Sequence, residues 1–199
     1  EETVDPLVDE IHEDLVFPGH THTTMARAAP DVQDRLLTLT ASTKTFNMAA
    51  AHNGNVIVSD PVLRARFGKR VMAMGNSPDA FGVNMATAAY SPEGAAWLDA
   101  LIPYLDENRR IFDAGVNAIT GVASMPLEAT YLSWVDFSGT GMAAPEFTRR
   151  VQEDAKIAPN HGPTFGKGGE AFLRFNIATQ RSRVEEAVSR LQAAFADLQ

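Results

Sequence analysis

Short apolar runs separated by polar loops dominate the first third of the chain. The segment "VDPLVDEIHEDLVF", residues 4–17, runs apolar with β-branched residues and stops at "PGHTHTT", which predicts a buried strand followed by a loop. Leu and Thr alternate in "DRLLTLTAS", residues 34–42, and "GNVIVSDP", residues 54–61, is a third short apolar run. Irregular or helical stretches separate these predicted strands, as in an α/β sheet.

Helices are predicted from Asp60 onward, because Asp60 and Pro61 form a helix start with proline in the first turn. Two helical segments, 61–74 and 79–90, precede a long segment, 92–119, whose apolar residues recur at helical spacing. Within that long segment, Pro103 should kink the helix or mark a boundary between two helices.

The order strand, helix, strand, helix closes the chain. The segments "MPLEATYLSWVDF" (125–137) and "EAFLRFNIAT" (170–179) are predicted strands. The amphipathic segment "APEFTRRVQEDA" (144–155) and the C-terminal segment 181–198 are predicted helices. This ending predicts a second, smaller α/β unit, with the domain boundary inside the long helical segment.

Composition narrows the classes of partner. The chain has 17 Lys and Arg against 25 Asp and Glu, a formal net charge of -8, and no basic segment, so the electrostatic footprint of a nucleic-acid binder is missing. No apolar run approaches the roughly 20 residues that span a bilayer, so we expect a soluble protein with no membrane partner. The absence of cysteine excludes disulfides and thiol chemistry and fits a reducing, cytoplasmic location.

Lys44 is the first candidate for chemistry, because "LTLTASTKTFNMAAAHNG" sets one lysine among small hydroxylic and apolar residues. Burial among neutral residues lowers a lysine pKa by disfavouring the ammonium, and a neutral amine can attack a carbonyl to form a Schiff base. The alternative is a turn lysine whose amine reaches water, and spacing alone favours that alternative.

Asp9 and Arg174 are the next candidates. Asp9 ends an apolar run, where strand termini of open α/β sheets present side chains to a ligand crevice, and it could hold a cationic ring nitrogen while His12 bonds a neighbouring oxygen. A solvated strand end is the alternative, favoured in isolation. Arg174 alternates with apolar residues, and burying it is costly unless a carboxylate or phosphate meets its planar fork. An edge strand with Arg174 facing solvent is equally compatible.

Two further patterns carry weaker signals. His20 and His22, with His12 and Asp14 upstream, could begin a metal site, but they lie in a predicted loop and no third ligand has diagnostic spacing. We therefore predict no metal. The segment "GKGG", residues 166–169, is too short for a phosphate-binding loop and is typical of a flexible turn.

Taken together, "VDEIHEDLVFPGHTH", "LTASTKTFNMAA", "ATYLSWVDF" and "FLRFNIATQRSR" resemble successive signatures of the fold-type I pyridoxal phosphate enzymes. They are most similar to the cystathionine beta-lyase and carbon-sulfur lyase branch of the class I/II aminotransferase family. The resemblance implies an aspartate aminotransferase-like α/β fold. Residues 1–110 would form the C-terminal part of the large cofactor-binding α/β sheet domain, and residues 111–199 the small C-terminal α/β domain.

The resemblance also implies roles in binding pyridoxal 5'-phosphate. Lys44 matches the lysine that forms the Schiff base with the cofactor and later moves the Cα proton. Asp9 matches the carboxylate that keeps the pyridine nitrogen protonated. His12 falls near the cofactor's phenolic oxygen. Ser42 is a candidate phosphate ligand, and so is His52, which stands eight positions after the lysine where the family often has a basic residue.

For the substrate, Arg174 matches the arginine that takes the carboxylate of a small amino acid. The expected reaction is α,β-elimination from a sulfur-containing amino acid, and transamination is the alternative. Family members are considerably longer, so we expect a homodimer, a companion chain supplying an N-terminal half, or both. The alternative from another class is a non-catalytic half-fold retained for assembly.

Overall fold

The computed structural model describes residues 6–198. The chain divides into two compact units, Glu1–Leu101 and Ile102–Gln199. The division falls within one long helix, Pro92–Asn117, and the boundary predicted between residues 110 and 111 lies in the same helix. Each unit has its own sheet.

The sheet of unit 1 is built from the three short apolar runs, which form β1 (Leu7–Asp9), β2 (Leu37–Thr40) and β3 (Asn55–Val58). β1 and β2 are parallel, with Asp9 opposite Leu39, whereas β3 is antiparallel to β2. Parallel pairing requires a crossover between the strands, and residues 10–36 supply it with turns and short helices.

The first strand is much shorter than predicted. Residues 4 and 5 of the predicted strand 4–17 lie outside the described residues, and within the described part the strand ends at Asp9. Asp9 Oδ1 accepts a hydrogen bond from the Ile11 amide at 3.1 Å, and the Glu13 amide donates to the Glu10 carbonyl at 2.9 Å. The long strand was a wrong prediction because these local hydrogen bonds turn the backbone, and apolar spacing does not report them.

The helices of unit 1 are α1 (Met25–Ala28), α2 (Ser42–Thr45), α3 (Pro61–Ala73), α4 (Ala80–Ala89) and the first part of α5 (Pro92–Asn117). The predicted start of α3 is confirmed, because Asp60 caps it by accepting a hydrogen bond from the Leu63 amide at 2.6 Å. No residue of α3 is buried.

Helix α5 runs through Pro103 without a break between helices, so the alternative of a boundary there is wrong. Proline removes one backbone hydrogen bond from the helix interior. The helical turns after Pro103 bury an apolar face formed by Leu105, Phe112 and Val116. This burial compensates for the lost hydrogen bond. No described helix is both long and apolar enough to cross a membrane.

Unit 2 contains a four-stranded antiparallel sheet in the order β4-β5-β7-β6, with strands β4 (Ala123–Ser124), β5 (Leu132–Asp136), β6 (Asn160–His161) and β7 (Phe172–Asn176). The unit also contains the second part of α5 and the helices α6 (Ala144–Arg149), which continues as a π-helical turn to Asp154, and α7 (Arg181–Ala194). β5 and β7 are the two predicted strands, whereas β4 and β6 have two residues each and are too short to show a periodicity.

A continuous apolar core fills unit 2. Alternate residues of β5 and β7, including Val135 and Leu173, point into it. Three fully buried aromatic side chains lie at its centre, with the ring of Phe137 stacked on that of Phe147 at 4.9 Å and 5.7 Å from that of Phe195. Unit 2 therefore encloses a hydrophobic core of its own.

We expect Phe147→Ala to lower the free energy of unfolding by about 3–5 kcal/mol, because it removes a buried ring and leaves a cavity against Phe137. The control is Met125→Ala in the same unit, whose side chain is 46% exposed and whose loss should cost at most about 0.5 kcal/mol. Urea unfolding followed by circular dichroism measures both. Equal losses for the two variants would contradict this description of the core.

Candidate functional site

The candidate site in unit 1 lies at the carboxyl ends of β1 and β2. Because these strands are parallel, their carboxyl ends meet at the same edge of the sheet. Asp9 is the last residue of β1, and α2 begins two residues after β2 ends. The structure thus brings Asp9, Ser42 and Lys44 to one sheet edge, which is the arrangement that a ligand crevice of an open α/β sheet requires.

The turn that carries Lys44 is held on both sides. Ser42, Thr43 and Thr45 are buried, whereas Lys44 itself is half-buried. Thr45 Oγ1 donates a hydrogen bond to Asp14 Oδ2 at 2.9 Å. The ring of Phe46, the residue after Thr45, stacks on the ring of Trp97 with centroids 5.5 Å apart. The lysine therefore stands on a backbone turn that packing and one side-chain hydrogen bond keep in place.

Ser42 provides an unsatisfied donor beside the lysine. Its Oγ is buried, and within the described residues no protein atom meets hydrogen-bond geometry with it. Buried polar groups are nearly always paired, so an unpaired hydroxyl needs an explanation, such as a ligand oxygen. Burial, followed by the negative charges of Asp14 and Glu13, raises the pKa of Tyr90, while the interactions of its hydroxyl with the Asn55 and Ser42 side chains lower it.

A carboxylate cluster that no sequence motif indicated follows Asp9. The side chain of Glu10 is buried, and it accepts a hydrogen bond from the Met25 amide at 2.7 Å and lies 3.4 Å from His22 Nε2. Burial, then the charges of Asp14 and Glu10, raise the pKa of Glu13. The acid spacing in "DEIHED" was the available signal, because a turn brings residues three apart together.

The histidines that suggested a metal site are not gathered. Among the described residues, the group whose ligand atoms lie within 4.8 Å of one another consists of Glu10, Glu13 and His22. Two members of that group already satisfy each other, since His22 pairs with Glu10. His12 and His20 do not belong to that group.

The two remaining candidates of unit 1 have different surroundings. His12 is half-buried in the turn after β1, three residues beyond Asp9, and its carbonyl accepts a hydrogen bond from the Leu15 amide at 3.0 Å. His52 is exposed and has a left-handed backbone with φ 44° at the end of the 3₁₀ turn Ala49–Ala51. His12 is thus partly enclosed, whereas the His52 side chain is open to solvent.

Arg174 is the candidate of unit 2, and it does not lie on an edge strand. β7 lies between β5 and β6, so the edge-strand alternative is wrong. The side chain is half-buried, and one terminal nitrogen donates to Asn160 Oδ1 at 3.1 Å. The Cζ atom lies 4.2 Å from the ring centroid of Phe165, and Nε is buried without a hydrogen-bond partner.

This arrangement can bind an anion. Arginine presents its donors in a fixed plane that matches a carboxylate, and such charge-assisted hydrogen bonds are among the strongest in proteins. An unpaired buried Nε–H is costly unless an acceptor meets it. The sequence indicated Arg174 but not Asn160 and Phe165, because the antiparallel pairing and the turn that bring them together are tertiary features.

Comparison with known proteins gives a consistent result. The family model "Aminotransferase class I and II" matches residues 1–191. Cystathionine beta-lyase PatB of Bacillus subtilis is 35% identical over 196 residues, which cover 98% of this chain and 50% of the relative. The family that the sequence motifs indicated is confirmed.

Solved structures agree with the fold. Cystalysin from Treponema denticola, whose crystal structure contains pyridoxal 5'-phosphate, matches with a TM-score of 0.89 and 33% identity over 97% of this chain and 49% of its own. The PLP-bound C-S lyase from Staphylococcus hominis matches with a TM-score of 0.83 and 27% identity over 95% of this chain and 48% of its own. The expected aminotransferase-like α/β fold is confirmed.

The chain spans about half the length of the relatives it matches. The residues matched by the family model include every strand of the two described sheets. The chain therefore belongs to the class I and II aminotransferase family.

Proposed function

We propose that this chain forms part of a pyridoxal phosphate-dependent carbon-sulfur beta-lyase that acts on a sulfur-containing amino acid. The observation that carries the proposal is the parallel pairing of β1 and β2, which puts a carboxylate and a lysine-bearing turn at one sheet edge. Similarity to a cystathionine beta-lyase along 98% of the chain favours this branch of the family.

The residues of unit 1 fit the groups of pyridoxal phosphate. An aldehyde needs an amine, for which Lys44 is the candidate, and a pyridinium nitrogen needs a carboxylate, for which Asp9 is the candidate. A phosphate needs donors, and the unpaired Ser42 hydroxyl is one. His12 would lie near the phenolic oxygen, and the exposed His52 would be an outer phosphate ligand. When bound, the cofactor supplies an electron sink for the charge that develops at the substrate Cα.

The chain's own residues then have separate tasks. Arg174 binds the substrate carboxylate through its fixed guanidinium plane, with the buried Nε–H as a free donor. Lys44 Nζ removes the proton from the substrate Cα. The Asp9 carboxylate would hold the positive charge at the ring nitrogen of the cofactor. A thiolate on Cβ leaves after that proton transfer, which completes the elimination.

Transamination is the second candidate function, because the family model that matches the chain covers aminotransferases. Both reactions need Lys44 to take the Cα proton. In elimination the Cβ thiolate then leaves, whereas in transamination Cβ keeps its substituent and the amino group is transferred instead. The similarity to a beta-lyase and to a C-S lyase is the reason for preferring elimination.

We expect Lys44→Ala in the native protein to abolish the visible absorbance of bound cofactor and to lower pyruvate release from cystathionine at least about 100-fold, because a positioned general base contributes this much or more. The matched control is Lys69→Ala, which removes an exposed lysine of α3 and should change neither. Formation of a new amino acid from an amino acid and a 2-oxo acid, without pyruvate, would select transamination. A wild-type protein that takes up no cofactor would refute both functions and leave the non-catalytic alternative.

We also propose that unit 1 is covered by a companion chain carrying the part of the family fold that this chain does not span. Large apolar side chains of α3 and α4 are exposed, namely Val62, Met72, Phe81, Val83 and Met85. Exposed apolar side chains in such number are typical of surfaces that another polypeptide covers. The length of the relatives favours the remainder of the fold over a second copy of this chain as the occupant. Homodimer formation by the completed unit remains a prediction.

We expect the double variant Met72→Glu/Phe81→Glu to release the companion chain, because burying two unpaired carboxylates in an apolar interface is strongly unfavourable. Light scattering on the purified native assembly should show a fall in mass equal to the mass of the released companion chain. The control Met125→Glu, on an exposed residue of unit 2, should leave the mass unchanged. Mass spectrometry of a wild-type assembly that contained only copies of this chain would overturn the companion proposal.

A further inference from the structure

A glycine-rich turn in unit 2 brings an aromatic ring onto the candidate carboxylate-binding arginine. The 3₁₀ turn Gly162–Phe165 follows β6 directly, and its last residue is the phenylalanine under the Arg174 guanidinium. The ring of Phe165 is 49% exposed, so its position is not explained by burial in the core.

Glycines determine the path of this turn. A Cβ on Gly162 would lie 2.0 Å from the Gly169 carbonyl oxygen, so the two backbones approach as closely as only glycines allow. Gly166 and Gly168 have φ values of +118° and +90°, which side-chain-bearing residues rarely adopt. The segment "GKGG", interpreted from sequence as a flexible turn, is therefore one of defined geometry.

The ring of Phe165 is itself held from the side by the sheet. The ring of Trp134 on β5 meets it edge-on, with centroids 5.4 Å apart and planes at 82°. On the other side, Trp134 stacks on Phe172 at 5.3 Å. Trp134 on β5 is the cross-strand partner of Arg174 on β7. The tryptophan that contacts Phe165 is therefore also the neighbour of Arg174 in the sheet.

Arg174 consequently has an aromatic ring on one side and a donor left over. Its Cζ lies over the Phe165 ring, and Asn160 accepts from one terminal nitrogen. Nε remains buried and unpartnered. A guanidinium that can rotate loses the alignment of its donors with a planar carboxylate, whereas one held against a ring keeps it.

We propose that Phe165 is a positioning residue that holds the Arg174 guanidinium in the plane needed to bind the substrate carboxylate, and that the turn 162–169 sets this contact. The proposal rests on the proposed function of Arg174. It concerns binding of the substrate alone, because Phe165 has no part in the proton transfer assigned to Lys44.

The test compares Phe165→Leu with Phe165→Tyr in the native, cofactor-loaded protein. Leucine removes the π face, so we expect KM for the amino acid to rise about threefold to tenfold, the loss expected for one cation–π contact and the orientation it provides, while kcat changes less than about twofold. Tyrosine keeps the face and should restore KM. A fall in kcat at unchanged KM, or a failure of tyrosine to restore KM, would overturn the proposal.

A binding measurement makes the test independent of turnover. Titration calorimetry with 3-(methylthio)propionate, which has the carboxylate but no reactive amine, should show an affinity loss of the same size in Phe165→Leu. The corresponding amide should bind the wild type and the variant equally weakly. Equal loss of affinity for acid and amide would refute a role in carboxylate binding.

The matched control is Tyr104→Leu, which removes another cation–π contact in unit 2, where Arg181 lies over the Tyr104 ring at 4.6 Å. That change should leave KM unchanged, and an equal rise in KM would show a general loosening of the unit and refute the assignment. If the wild type turns over substrate and Phe165→Leu has an unchanged KM, only this inference is refuted.

If the wild type binds no cofactor and shows no turnover, the proposed function itself is refuted.

Discussion

The candidate site of unit 1 depends on one pairing, that of β1 with β2 in parallel. Each strand has only three or four residues, yet their register puts Asp9 level with the end of β2, just before the turn that carries Lys44. An antiparallel pairing would have sent the carboxylate and the amine to opposite edges of the sheet. The acids after Asp9 add to this arrangement, because Asp14 accepts the Thr45 hydrogen bond that holds the lysine turn.

The two units differ in how completely they bury their apolar residues. Unit 2 surrounds a core with three fully buried phenylalanines, and its sheet packs against helices that close over it. In unit 1, α3 has no buried residue, and the exposed side chains of α3 and α4 include some of the largest apolar groups of the chain. A small sheet with one uncovered helix has a limited hydrophobic contribution to stability, so this unit gains most from a covering partner.

The same contrast applies to the two candidate binding residues. Lys44 stands on a short turn that is fixed by neighbours from distant parts of unit 1, notably Asp14 and Trp97. Arg174 stands on an inner strand and is fixed by aromatic residues from β5 and from the glycine turn. In both cases the polar group that would meet a ligand is positioned by residues that would not touch the ligand themselves.

Local sequence was enough to predict most of the helices and five of the seven strands found in residues 6–198, because apolar spacing and helix caps act over a few residues. Motif order was enough to indicate the family and to select Asp9, Lys44 and Arg174. Local patterns were not sufficient at two places where the same pattern is compatible with more than one structure. The chain turns after Asp9 and does not continue as a strand, and Pro103 lies inside a helix.

Only the tertiary structure decided which residues surround those candidates. The unpaired Ser42 hydroxyl, the buried Glu10 and the contact of Phe165 with Arg174 each join residues far apart in the chain or depend on how tightly a side chain is enclosed. Burial, strand order and the closeness of two backbones are properties of packing. No spacing rule along the chain contains them, which is why the sequence by itself determined the candidate chemistry and the fold determined how it is held.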